Sequence, residues 1–100
     1  MTTTLNERQK KHLRGLGHAL HPLVQVADRG VSPAIVAELD RALGDHELVK
    51  VRVRLKDRDA RGQAIEALAA ATGSVEVTRI GHVALYYRPH PKLRRIILPA

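Results

Sequence analysis

The chain predicts an α/β fold: a two-layer sandwich in the order α-β-α-β-α-β-β, with a four-stranded mixed sheet and helices packed mainly on one face. Three observations predict it. Helix-start signals recur at Asn6, Ser32-Pro33 and Asp57, and apolar or alternating segments lie between and after them. Strand-helix-strand order implies parallel pairing through right-handed crossovers, whereas two strands joined by a tight turn pair antiparallel.

Asn6 and Gln9 have the spacing of a capping box, and Leu5, Leu13, Leu16 and Leu20 give the first helix an apolar stripe ending around Gly15 or Gly17. Ser32 is the N-cap of a second helix with Pro33 at its first position and Val31 placed to staple against Val36. Ile35, Val36, Leu39 and Leu43 continue it at helical spacing, and Gly44 is a natural terminator. Asp57 caps a third helix whose buried stripe is Ala60, Ala64, Ile65, Leu68 and Ala71, stopped by Gly73.

Leu23 to Ala27 is short and apolar, whereas Leu48 to Lys56, Ser74 to Arg79 and Val83 to Arg88 alternate as strands do, and Gly81-His82 suits a hairpin turn between the last two. Parity turns Val49/Val51/Val53, Val75/Val77 and Val83/Leu85/Tyr87 towards the helices. Lys50/Arg52/Arg54, Glu76/Thr78 and Ala84/Tyr86/Arg88 then lie on a largely open face. Pro89-His90-Pro91 breaks the chain before Ile96, Ile97 and Leu98, which either add a short edge strand or pack back on the core.

One hundred residues with 44% hydrophobic content make one domain with a modest core. Cysteine is absent, which excludes a disulfide framework and a thiolate metal site and is compatible with a reducing cytosol. No apolar run approaches the ~20 residues of a membrane span, and Met1 to Lys11 lacks the apolar region of a signal peptide. A soluble, cytoplasmic protein is expected.

Charge is the most informative property. Lys plus Arg is 17 against 10 for Asp plus Glu, a formal net charge of +7. The cations gather in three places: Arg8, Lys10, Lys11 and Arg14; the strand with Lys50, Arg52, Arg54 and Lys56; and Arg88, Lys92, Arg94 and Arg95. On one strand face such charges stand roughly 6.6 Å apart and repel each other. The bland explanation is a solvated outer face. The net charge favours a polyanion that neutralises the row, with nucleic acid the commonest candidate.

Only Tyr86 and Tyr87 are aromatic in the Phe, Trp and Tyr sense, so a base-stacking platform is nearly excluded. Tyr86, on the open-face parity, is placed to stack one base, and Tyr87 shares the parity of the core. Catalytic and metal constellations are weak. Asp45-His46-Glu47 sits at a turn and forms no nucleophile, base and orienter set, His18-x-x-His21 is a lone pair across a helix end, and Gly15-Leu16-Gly17 lacks the preceding strand of a dinucleotide fingerprint.

The runs Leu5-Asn6-Glu7-Arg8-Gln9-Lys10-Lys11-His12-Leu13-Arg14-Gly15-Leu16 and His18-Ala19-Leu20-His21-Pro22-Leu23-Val24 closely resemble the opening of the CRM (chloroplast RNA splicing and ribosome maturation) domain family in its bacterial stand-alone YhbY form. Asp45-His46-Glu47-Leu48-Val49-Lys50-Val51, Ile80-Gly81-His82 and Tyr87-Arg88-Pro89 extend the resemblance along nearly the whole chain. It implies a single RNA-binding domain over 1–100, with 1–4 and 89–100 flexible or peripheral. The implied fold is that of the C-terminal domain of bacterial translation initiation factor three. It also implies no enzymatic activity, no cofactor and association with precursors of the large ribosomal subunit, as plant relatives imply a link to intron splicing. Family members carry a KH-like Gly-x-x-Gly loop after the first strand. Here those positions read Ala27-Asp28-Arg29-Gly30: alanine replaces the first glycine, and Asp28 repels phosphate where Arg29 attracts it. An ordinary turn would use the same residues.

The expected RNA-binding residues are therefore Asp28, Arg29 and Gly30 in the loop, Lys50, Arg52 and Arg54 on the strand, Lys10, Lys11 and Arg14 on the first helix, and Tyr86 and Arg88. The expected partner of this monomer is structured ribosomal RNA, recognised by phosphate placement and shape, without membrane, metal or small-molecule substrate. The alternative is a basic adaptor that docks on acidic protein surfaces.

Overall fold

The computed structural model describes residues 3–100, so the expectation for residues 1 and 2 lies outside the described residues. The elements are α1 (Glu7–Gly17), β1 (Val24–Val26), α2 (Pro33–His46), β2 (Leu48–Val53), α3 (Arg58–Thr72), β3 (Val75–Ile80) and β4 (Val83–Tyr87), in the predicted order. The sheet runs β1-β2-β4-β3, with β1 parallel to β2 and the other two pairs antiparallel.

The caps are those the sequence indicates. Asn6 Oδ1 accepts from Gln9 N at 2.8 Å and Gln9 Oε1 accepts from Asn6 N at 3.0 Å, so two otherwise orphaned amides satisfy each other through side chains. Ser32 Oγ accepts from Ile35 N, and Asp57 Oδ2 from Ala60 N. Gly73 ends α3 in the left-handed conformation. Gly44, in contrast, does not end α2. The helix runs on to His46, and Glu47 takes the left-handed turn at φ 63, a conformation uncommon for a residue with a side chain.

Long-range hydrogen bonds hold Glu47 there. Its side chain is fully buried, and its carboxylate accepts from the backbone N–H of His90 (2.7 Å), Arg95 (2.6 Å) and Ile96 (2.9 Å). Burial pushes the Glu47 carboxyl up, but these three donors and nearby His90 outweigh it and leave its pKa below the ordinary value. The C-terminal segment is thereby strapped across the end of the sheet. Ile96 and Leu98 pack back on the core and form no edge strand, and Gln9 Nε2 donates to Pro99 O at 3.1 Å. Residues 89–100 are peripheral in position yet tied to the domain.

Two apolar clusters flank the sheet. On one face, Leu39 and Leu43 of α2 and Ala64, Ile65 and Leu68 of α3 cover Val24, Val26, Val49, Val51, Val53, Ala84 and Tyr86. On the other, Leu13 of α1, Leu5, Ile96 and Leu98 cover Leu48, Val77, Leu85 and Tyr87. Two of the three helices thus share a face, and α1 with the tail covers part of the opposite one.

This arrangement corrects the expected parity of β3 and β4. Val49 pairs with Tyr86 and Val51 with Ala84, so Tyr86 and Ala84 face α2 and α3, while Leu85, opposite Lys50, faces α1. A bulge between Glu76 and Thr78 breaks the alternation of β3 and leaves Val77 buried on the α1 side. Strand β4 is buried on both faces, so its apolar pattern carries no parity signal.

Candidate nucleic-acid interface

Strand β2 builds the centre of the site. Its odd positions enter the core under α2 and α3, so Lys50 and Arg52 must project from the opposite face. Arg54 lies one residue past the strand, yet its N–H donates to Val26 O at 2.7 Å and keeps the extended course. Arg52, Arg54 and Lys56 line one recess together with Ala27, Asp28, His82 and Val83. Lys50 lines a second with Arg14, Gly17, His18 and Val83. Val83 borders both, so the cations of α1 and β2 form one continuous face.

Close approach of α1 to the sheet makes that continuity possible. A Cβ at Gly17 would stand 2.7 Å from Leu85 Cδ2, so a larger residue would force the helix or Leu85 to move. Lys11, Arg14 and His18 fall at helical spacing along one side of α1. At the other end of the face, Gly30 N donates to Ala27 O at 2.9 Å and closes the turn that holds Asp28 and Arg29. Gly30 adopts φ 75, a conformation that favours glycine, whereas Ala27 lines the recess beside Arg52 and Arg54.

Among the described residues, the salt bridges engage Lys10 with Glu7, Arg79 with Glu66 and Glu76, and Arg88 with Asp40. Arg14, Arg29, Lys50, Arg52, Arg54 and Lys56 make none. Six unpaired cations therefore share the face and its bordering turn, with Asp28 as the opposing charge.

Two expected RNA-binding residues are elsewhere. Tyr86 is fully buried against α3, and its hydroxyl donates to Ile65 O at 2.7 Å. Burial pushes its phenol pKa well above the ordinary value, so this tyrosine is a core residue with no face available to a base. Arg88 donates to Asp40 Oδ1 (2.6 Å), Asp40 O (3.0 Å) and Thr72 O (2.8 Å), joining α2 to the end of α3 away from the cationic face. Lys10 lies on α1 within 3.8 Å of Glu7, and Lys11, exposed and unpaired, lies outside both recesses and the bordering turn and so outside the six.

His18 and His82 join the site although they are not among the expected binding residues, and Lys56, the fourth cation of the predicted row, lies there with Arg52 and Arg54. Lys56 continues the alternation of β2 and was visible in that pattern. His82 is brought in by the hairpin turn, where its carbonyl accepts from Val53 N and its Nε2 lies 3.3 Å from Arg61 Nη1. No local sequence signal marks that placement.

A family model for the CRS1/YhbY (CRM) domain matches residues 5–88. The chain belongs to this family. It is 44% identical over 88 residues to a probable RNA-binding protein of Pseudomonas aeruginosa, covering 88% of this chain and 85% of that one. It is 40% identical over 87 residues to an RNA-binding protein of Haemophilus influenzae, covering 87% and 88%. The solution structure of a candidate RNA-binding protein of Staphylococcus aureus superposes with a TM-score of 0.83 at 32% identity, covering 96% of this CRM chain and all of that one. Among the described residues no helix is long and apolar enough to cross a membrane.

Proposed function

We propose that this CRM protein is a non-enzymatic RNA-binding protein that engages structured ribosomal RNA in precursors of the large ribosomal subunit and assists their assembly. The observation that carries the RNA reading is the line of unpaired cations from Arg14 through Lys50, Arg52 and Arg54 to Lys56 and the Arg29 turn, continuous across α1 and β2. Neutralising phosphates with a row of fixed cations gives affinity without base identity, as shape recognition requires. The names of the Pseudomonas and Haemophilus relatives support RNA as the polyanion, and the YhbY resemblance supports its ribosomal source.

The test is Arg52→Glu combined with Arg54→Glu. Both side chains are exposed and unpaired, so the melting temperature should stay nearly unchanged while binding to ribosomal RNA is lost. RNase should also release the wild-type protein from ribosomal particles. Retention after RNase would overturn the reading in favour of docking on an acidic protein surface.

A further inference from the structure

We propose that the recess between α1 and the open sheet face holds one unpaired nucleobase of the bound RNA, with the adjoining phosphate on Arg14 and Lys50. This deepens the RNA-binding reading and rests on it. The recess encloses about 310 Å³, at the small end of ligand sites. Its lining differs from the rest of the cationic face: Leu85 and Ile80 add apolar surface to the shared Val83, Arg14 and Lys50 are charged, and His18 adds an imidazole ring.

That mixture selects the occupant. Ile80 is 69% exposed in the free protein, so an apolar surface awaits cover directly beside two unpaired cations. An apolar peptide would cover Ile80 but strip water from Arg14 and Lys50 without supplying a countercharge. A bare phosphate would satisfy the cations and leave the apolar wall wet. A nucleotide carries a flat, weakly polar ring next to an anionic group and satisfies both halves. His18, outside the usual tally of aromatic residues, offers the ring with a face to stack on, and Thr78 offers a hydroxyl for a base edge.

The base must be unpaired, because a base inside a duplex keeps its faces against its neighbours and has to be unstacked before it can enter. The ligand class is therefore RNA with a bulged or single-stranded nucleotide beside a helical segment, the helix lying along Arg52, Arg54 and Lys56.

Fluorescence anisotropy with two RNAs tests this: a blunt-ended, fully paired duplex of two strands, and the same duplex with one unpaired adenosine bulged from one strand. The bulged RNA should bind about tenfold tighter, the scale of one base stacked on a protein ring. Ile80→Ser, at an exposed position, should reduce that advantage while leaving the paired duplex's affinity and the melting temperature unchanged, and His18→Ala should lower the ratio of the two affinities. Equal binding of the two RNAs by the wild type, or variants that weaken both RNAs alike, would overturn the base site while leaving phosphate binding standing. Failure of either RNA to bind would overturn the underlying reading and the base site together.

Discussion

Raising the salt concentration should weaken RNA binding by an amount the cationic face fixes. Six unpaired cations, Arg14, Arg29, Lys50, Arg52, Arg54 and Lys56, are opposed by Asp28, which leaves an effective complement of about five phosphate contacts. The logarithm of affinity should fall against the logarithm of salt with a slope of about −3.5 for single-stranded RNA and about −4.5 if duplex phosphates are engaged. Between about 50 and about 200 mM salt, binding should weaken roughly 100- to 500-fold. Arg52→Ala should make the slope shallower by ~0.7 to ~0.9 and change stability by no more than about 0.5 kcal/mol, because the side chain is exposed and unpaired. An anisotropy titration repeated at several salt concentrations measures both quantities. A wild-type slope flatter than about −2, or an Arg52→Ala variant that loses affinity at an unchanged slope, would refute the idea that these side chains act on phosphates.

Three further predictions concern the scaffold. Glu47→Ala should destabilise the protein by about 2–4 kcal/mol in urea denaturation, since it removes a charged acceptor from three backbone donors and releases Ile96 and Leu98. The same contact predicts a pH effect. The folded-state pKa of Glu47 lies below its ordinary value of 4.5, so its stabilisation is complete above that pH and fades as pH falls through the lower folded value, a loss that Glu47→Gln should lack. Tyr86→Phe should cost about 1 kcal/mol through the lost bond to Ile65 O and leave RNA affinity unchanged, and a weakened RNA affinity at intact stability would contradict its place in the core.

The local signals in the sequence were legible because they act locally. Asn6 with Gln9, Ser32 with Pro33, Asp57 and Gly73 each determine a helix end through neighbours within a few residues, and each does so in the structure. The cationic side of β2 was equally legible, since the valines between its charges leave only one orientation. What the sequence hid depends on contacts far along the chain. Val83 to Tyr87 is apolar at every position, so nothing marked which side met α2 and α3 until α1 was seen to occupy the other. Strand parity alone therefore places Tyr86 on the wrong face. Arg88 looked free because its partners, Asp40 and Thr72, lie 48 and 16 residues away. Gly44 looked like a helix end because the contact that holds Glu47 in the left-handed region comes from residues 90–96.

The Glu47 strap also separates two boundaries that are easily taken as one. The family model's match ends at residue 88, after the last strand, so a fragment trimmed there would retain every helix and strand of the domain. It would also deprive the Glu47 carboxylate of all three of its amide donors. The span that the family model matches is thus shorter than the span tied together by the Glu47 carboxylate, and the stretch beyond it is held by three backbone amides together with the side chains of Ile96 and Leu98.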